Sequence, residues 1–164
     1  PPYDTLFSGV RGHNTVEFDG RDQMPKISRF LYGAWPEVEN TEPKTDSSTG
    51  VTTWSGRYRD YKGCRHERSV SAAGGKWVIE DRLEGFQSKS VLRWHLAPLG
   101  WRLEGKKLIS EIATLEIESS VEDVEVVLSR GWESRHYLEK TEIPVLEVTV
   151  RGTRATLITR VQLL

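Results

Sequence analysis

An all-β fold, a single antiparallel β-sandwich of many short strands with little helix, is what the sequence predicts. Apolar and polar residues alternate at period two along most of the chain, helical periodicity is nearly absent, and glycine or proline interrupts the runs every roughly eight to twelve residues.

The elements follow in order. In "TVEFDG", Val16 and Phe18 share one face while Thr15, Glu17 and Asp19 take the other. "MPKISRFLYGAW" (24–35) fits either a strand or a short helical turn, and is where any helix is expected. "PEVENTEPKTDSSTG" (36–50), acidic and proline-bearing, reads as a loop, and "VTTWSGRYRDY" resumes the strand pattern. "KWVIEDRL" (76–83), "SVLRWHLA" (90–97), "IATLEIES" (112–119), "VEVVLS" (124–129), "PVLEVTVRG" (144–152) and "ATLITRVQLL" (155–164) repeat it. Gly74-Gly75, Gly85, Pro98 with Gly100, Gly105 and Gly152 punctuate them, so that "RLEGKKLI" and "VRGTRATL" both read as tight hairpins. Trp77, Ile79, Leu92, Trp94, Leu96, Leu115, Ile117, Val126 and Leu128 take the alternating positions of inner faces.

With 164 residues the chain suits one domain, residues 1–164, without a linker or internal repeat. Its six Trp, five Tyr and four Phe supply enough apolar area to exclude disorder. Lysine and arginine number 23 against 24 acids, a net charge of -1, so no global field attracts nucleic acid or an anionic membrane. No apolar run approaches the roughly 20 residues that cross a bilayer. Cys64 stands alone, which rules out an intrachain disulfide. The opening "PPYDTLFSG" lacks a start methionine and reads as a segment cut from a longer protein.

Metal spacings, a phosphate loop and a nucleophile elbow are all absent. Of the four histidines, His95 lies in an apolar strand and reads as a half-buried residue bonded to a backbone carbonyl. His66 alternates with charged neighbours and reads as part of a solvated or ion-paired face, and His136 adjoins a turn. His13 differs. It sits in "SGVRGHNTVEFDGRDQ" (8–23), after Gly12, which admits close approach, and before Asn14, whose amide both donates and accepts. The residues alone leave two readings open: a polar tight turn, or a histidine aimed at a ligand.

"GHNTVEFDGRDQ" resembles the "HNTV..DG.DQ" signature of the C-terminal β-sheet domain of heparinase II/III-like polysaccharide lyases. "YRDYKGCRHERSV", "KWVIEDRLEG" and "LRWHLAP" continue the likeness over roughly residues 8–130. The resemblance implies a supersandwich-like domain that follows an N-terminal (α/α) toroid in the same chain. It also implies β-elimination of uronic-acid-containing polysaccharides, glycosaminoglycans among them, in the cleft between the two domains. On this reading His13 is the catalytic histidine, abstracting a proton or stabilising the charged intermediate, and Asn14 binds substrate or fixes the loop. Arg11 is a candidate carboxylate or sulfate contact because of its planar fork. Some relatives hold a structural zinc with a second histidine in "HNH"; Thr15 stands there, so neither metal nor other cofactor is expected. The expected partners are an acidic polysaccharide and the toroid, whose docking surface should show as an exposed apolar patch, and the expected compartment is periplasmic or extracellular. The isolated domain is expected to be inactive. The competing reading is a non-catalytic carbohydrate-binding or structural β-sandwich module.

Overall fold

Alternating side chains in short runs produce strands that bury one face, and the computed structural model shows this for residues 7–28, 30–136 and 139–164, the ones it describes. A single 3-10 turn, Val10–Gly12, leads into β1 (Val16–Phe18). Then come β2 (Lys26–Ser28), β3 (Leu31–Tyr32), β4 (Glu37–Asn40), β5 (Lys44–Thr45) and the longer β6 (Thr52–Arg59), β7 (Arg65–Ala73), β8 (Lys76–Glu84) and β9 (Lys89–His95). The short pair β10 (Arg102–Glu104) and β11 (Lys107–Ile109) precedes β12 (Ala113–Ser119), β13 (Val124–Glu133), β14 (Thr141–Arg151) and β15 (Arg154–Leu163).

Two antiparallel sheets stack. The smaller runs β1-β9-β14-β13; the larger runs β10-β11-β12-β15-β8-β7-β6-β4, with β5 also on β6. Their facing sides close one core: Val16, Phe18, Leu92, Leu146, Val148 and Val150 from the small sheet meet Leu83, Leu108, Leu115, Ile117 and Leu157 from the large one. Each such side chain taken out of water contributes about 1.5–3 kcal/mol, so this layer dominates the stability of the fold. Phe18 stacks on Phe86 at 6.0 Å between centroids and meets Tyr58 edge-on at 6.4 Å, tying β1 to β6.

Of the positions assigned to inner faces, Ile79, Leu92, Leu96, Leu115 and Ile117 are buried, while Trp77, Trp94, Val126 and Leu128 are partly buried. Residues 24–35 contain a two-stranded hairpin, β2 with β3, and the helical residues among those described lie instead at 7–8 and Val10–Gly12. Residues 36–50 are not wholly loop. β4 and β5 pair with β6 as fully exposed edge strands, held by backbone hydrogen bonds and by exposed polar contacts such as Arg57 with Glu39 and Thr45 with Thr52, and so they show no alternation of apolar residues. "RLEGKKLI" is the expected hairpin. "VRGTRATL" is not: β14 pairs with β13 and β9, β15 with β12 and β8, and the chain steps from one sheet to the other at Gly152. Within residues 24–40 the apolar side chains Ile27, Leu31, Trp35 and Val38 are exposed, as is Phe30 at 86%.

Candidate functional site

The site is built at the edge where β1 enters the small sheet. Val16 and Phe18 point into the core, so Glu17 between them points to the outer face, where it is nevertheless buried. The stretch around Val10–Gly12 accounts for that burial: Val10 is itself buried and Arg11 donates Nε to Glu17 Oε1 at 3.0 Å. Arg93 of β9 faces Glu17 Oε2 at 2.7 Å and donates to Glu147 at 2.6 Å.

The rest of the polar stretch is occupied in the same way. Asp22 accepts the Val10 backbone N–H at 2.7 Å, and Gln23 donates to the Tyr58 hydroxyl at 2.8 Å. Asp19, in a left-handed conformation at φ 51 before Gly20, collects the backbone N–H groups of Gln87, Ser88 and Lys89. Burial alone would raise its carboxyl, but those donors and Arg21 outweigh it and hold the group below its ordinary range. Arg21 reaches Asp60 and lies 3.0 Å from the Cys64 sulfur. The crowding in residues 8–23 is therefore mostly scaffolding.

His13 is the exception. It follows the 3-10 turn, its side chain is exposed, and among the described residues none holds its imidazole by a hydrogen bond or ion pair. Together with Asn14, His95, Trp132, Glu133 and Ser134 it lines an open cavity of about 620 Å³. Arg11 lies outside that lining and is engaged with Glu17. Asn14 Oδ1 accepts the His95 backbone N–H at 2.7 Å and lies 3.1 Å from its Nδ1, which leaves the Asn14 amide NH₂ for a ligand. Thr15 is bonded to Gln23. Among the described residues no three His, Cys, Asp or Glu side chains gather as metal ligands, and no helix is long and apolar enough to cross a membrane.

His95 is the site residue that sequence reasoning set aside. Trp94 turns inward, to donate its indole N–H to Thr159, so the next side chain must turn outward to the cavity. Burial, reinforced by Arg93 and His13, pushes the His95 titration down, against a hydrogen bond with the Arg11 backbone. His95 is half-buried and bonded to a backbone carbonyl, as expected, and His66 is paired with a carboxylate but is not solvated. It is buried on the inner face of the large sheet, edge-on to Tyr58, with Nε2 at 2.5 Å from Asp81. The signal was its phase: His66 is two residues from Cys64 and four from Val70, while the charged Arg65 and Glu67 take the other face.

The profile of the family described as "Heparinase II/III-like, C-terminal" matches residues 2–160. Among solved structures, a heparinase III gene product with methylated lysines superposes with a TM-score of 0.75 at 16% identity, covering 95% of this chain and 24% of its own. Heparan sulfate lyase HepC from Pedobacter heparinus gives 0.75 at 15% identity, covering 97% and 25%. A heparinase III gives 0.69 at 13%, covering 97% and 24%. At these identities the likeness establishes the fold, and the chain spans about a quarter of the length of these structures. No curated protein matches it in sequence.

Proposed function

Since this chain belongs to the heparinase II/III-like, C-terminal family, we propose that it is the sandwich part of a polysaccharide lyase and contributes His13 to β-elimination at a uronic acid. The observation that carries this is the contrast within residues 8–23: the other polar side chains there are engaged in the fold, and the imidazole alone projects into an open cavity beside Asn14.

In such a reaction the C5–H bond and the C4–O bond of the uronate break and a C4–C5 double bond forms. The proton passes to a base and the departing oxygen takes one from an acid. Imidazole, the side chain that ordinarily titrates closest to neutral pH, suits the first task. Asn14, through its free NH₂, holds a substrate oxygen, and Arg11 offers its exposed guanidinium edge to a carboxylate or sulfate at the rim. The acid and the neutralisation of the uronate carboxylate come from an N-terminal (α/α) toroid. The exposed apolar side chains Ile27, Leu31 and Trp35, close together in the sequence, suit its docking surface, since large apolar patches left open to water commonly mark interaction sites. A polymeric substrate is met in the periplasm or outside the cell.

The test is His13→Ala in the full-length lyase, assayed by ultraviolet absorbance of the unsaturated uronate on a panel of uronate polymers. Turnover should fall about 10²- to 10⁴-fold, the range for one general acid or base. Full turnover in the variant would reduce this domain to a scaffold.

A further inference from the structure

Three successive carbonyls at the start of β1 are each held. The His13 carbonyl accepts the Thr15 N–H at 2.9 Å and the Thr15 carbonyl accepts the Arg93 N–H at 3.0 Å, both within the small sheet's own neighbourhood. The Asn14 carbonyl, between them, is held from the other sheet: Arg68 Nη1 of β7 donates to it at 2.7 Å. The same guanidinium donates Nε to Asp81 Oδ1 at 2.6 Å and Nη2 to Oδ2 at 3.2 Å. Its Cζ lies over the Trp94 ring, 4.7 Å from the centroid. Asp81 is completely buried, and His66 contacts the oxygen that Arg68 Nε also reaches. Four contacts thus fix one side chain at both ends and on one flank.

We propose that Arg68 is a positioning residue for His13, setting the peptide from which the imidazole projects by clamping the Asn14 carbonyl against the buried Asp81 carboxylate. This rests on the reading of His13 as the reacting group. A reacting imidazole must be held to a fraction of an ångström, and a loop at a sandwich rim has no such rigidity of its own. A fork of five donors can span a carboxylate and a carbonyl at once; an ammonium is a single point and cannot. Asp81 faces Arg68 across neighbouring strands of the large sheet and anchors it there, and the contact with Trp94 already ties it to the small sheet. The arm to Asn14 carries that anchorage on to the site loop.

The experiment has two arms. In this chain, Arg68→Lys should speed amide hydrogen exchange at His13 and Thr15 by about tenfold or more while amides of β8 and β15 keep their protection. Unchanged exchange at those two residues, or a uniform rise across both sheets, overturns the proposal. Arg68→Gln, made in parallel in case the lysine variant does not fold, should give the same local pattern. In the full-length lyase, Arg68→Lys should lower kcat by about 10²-fold while KM rises by a smaller factor through Asn14, as expected when a reacting group is misplaced more than substrate binding is weakened. His13→Ala alongside separates the failures. If it loses turnover and Arg68→Lys does not, the clamp is overturned. If His13→Ala keeps full turnover, the lyase role of His13 has failed and the exchange arm alone decides the clamp.

Discussion

Asn14 Oδ1 accepts the backbone N–H of His95 at 2.7 Å and lies 3.1 Å from the same residue's ring Nδ1, so one amide oxygen fixes both the end of β9 and its imidazole. A carboxylate in the place of that amide would favour the imidazolium. Asn14→Asp should therefore raise the His95 titration, opposing the depression that burial, Arg93 and His13 impose. Side-chain NMR titration measures it, and a His95 titration that stays put would mean that Nδ1 does not meet this residue in solution.

Acid should destabilise the fold in two windows. Folded His95 takes up its proton at lower pH than the unfolded chain does, because burial disfavours its charge. The unfolded state therefore binds more protons just below about pH 6.5, and stability falls as pH drops through that window. For Asp81, burial alone would raise the carboxyl, yet the His66 hydrogen bond and the Arg68 charge outweigh it and hold it below its ordinary value. Its contribution is complete above about pH 4 and is lost as pH falls through the folded value. Urea midpoints measured across pH should show both declines, and His95→Asn should remove the first and leave the second.

Leu146→Ala should cost about 2–5 kcal/mol in urea denaturation, since Leu146 is fully buried in a central strand between the sheets. Val127→Ala, on the neighbouring edge strand, should stay within about 0.5 kcal/mol because that side chain faces water. Equal losses would mean that the two faces of the small sheet have been exchanged.

Gly85→Ala is expected to destabilise by more than about 1 kcal/mol. The glycine sits at φ +83, and a Cβ there would lie 3.2 Å from the Gly63 carbonyl oxygen and 3.3 Å from the Cys64 Cα, both backbone atoms that cannot swing aside. A neutral result in thermal unfolding would show that this loop relaxes.

Among the residues of the signature stretch, His13→Ala should leave unfolding within about 0.5 kcal/mol, and Asp19→Ala should cost about 1–3 kcal/mol by orphaning the N–H groups before β9. The pair separates the residue that projects into the cavity from one that ties the end of β1 to the turn before β9. A large loss in His13→Ala would place its imidazole in the scaffold. On the proposed function, residues 1–164 alone should release no unsaturated uronate, because the acid and the carboxylate neutralisation are assigned outside them.

Alternation reveals which face a side chain takes, and it therefore made the sandwich and most of the core legible. It carries no information about which sheet a strand joins, which is why "VRGTRATL" looked like a hairpin although its halves belong to different layers. Edge strands such as Glu37–Asn40 pair without burying anything, so nothing in their composition marks them. His13 and Asn14 were legible because they lie together in the sequence. His95 and Arg68 were not, since they reach Asn14 only through the pairing of β1 with β9 and the stacking of one sheet on the other, between residues far apart in the chain.

The step at Gly152 bears on how this chain emerges from the ribosome. β14 lies between β9 and β13, and β15 between β8 and β12, so the last two strands synthesised here occupy interior places in both sheets. Until residues 141–163 have left the exit tunnel, β9 and β8 each present an open hydrogen-bonding edge, and the apolar inner faces have no complete partner. Pairings of such long sequence separation are slow to form, and their unfilled edges invite association between nascent chains. A chain stalled at residue 140 should accordingly bind general chaperones, and only release of the final segment should set the Asn14 loop against His95.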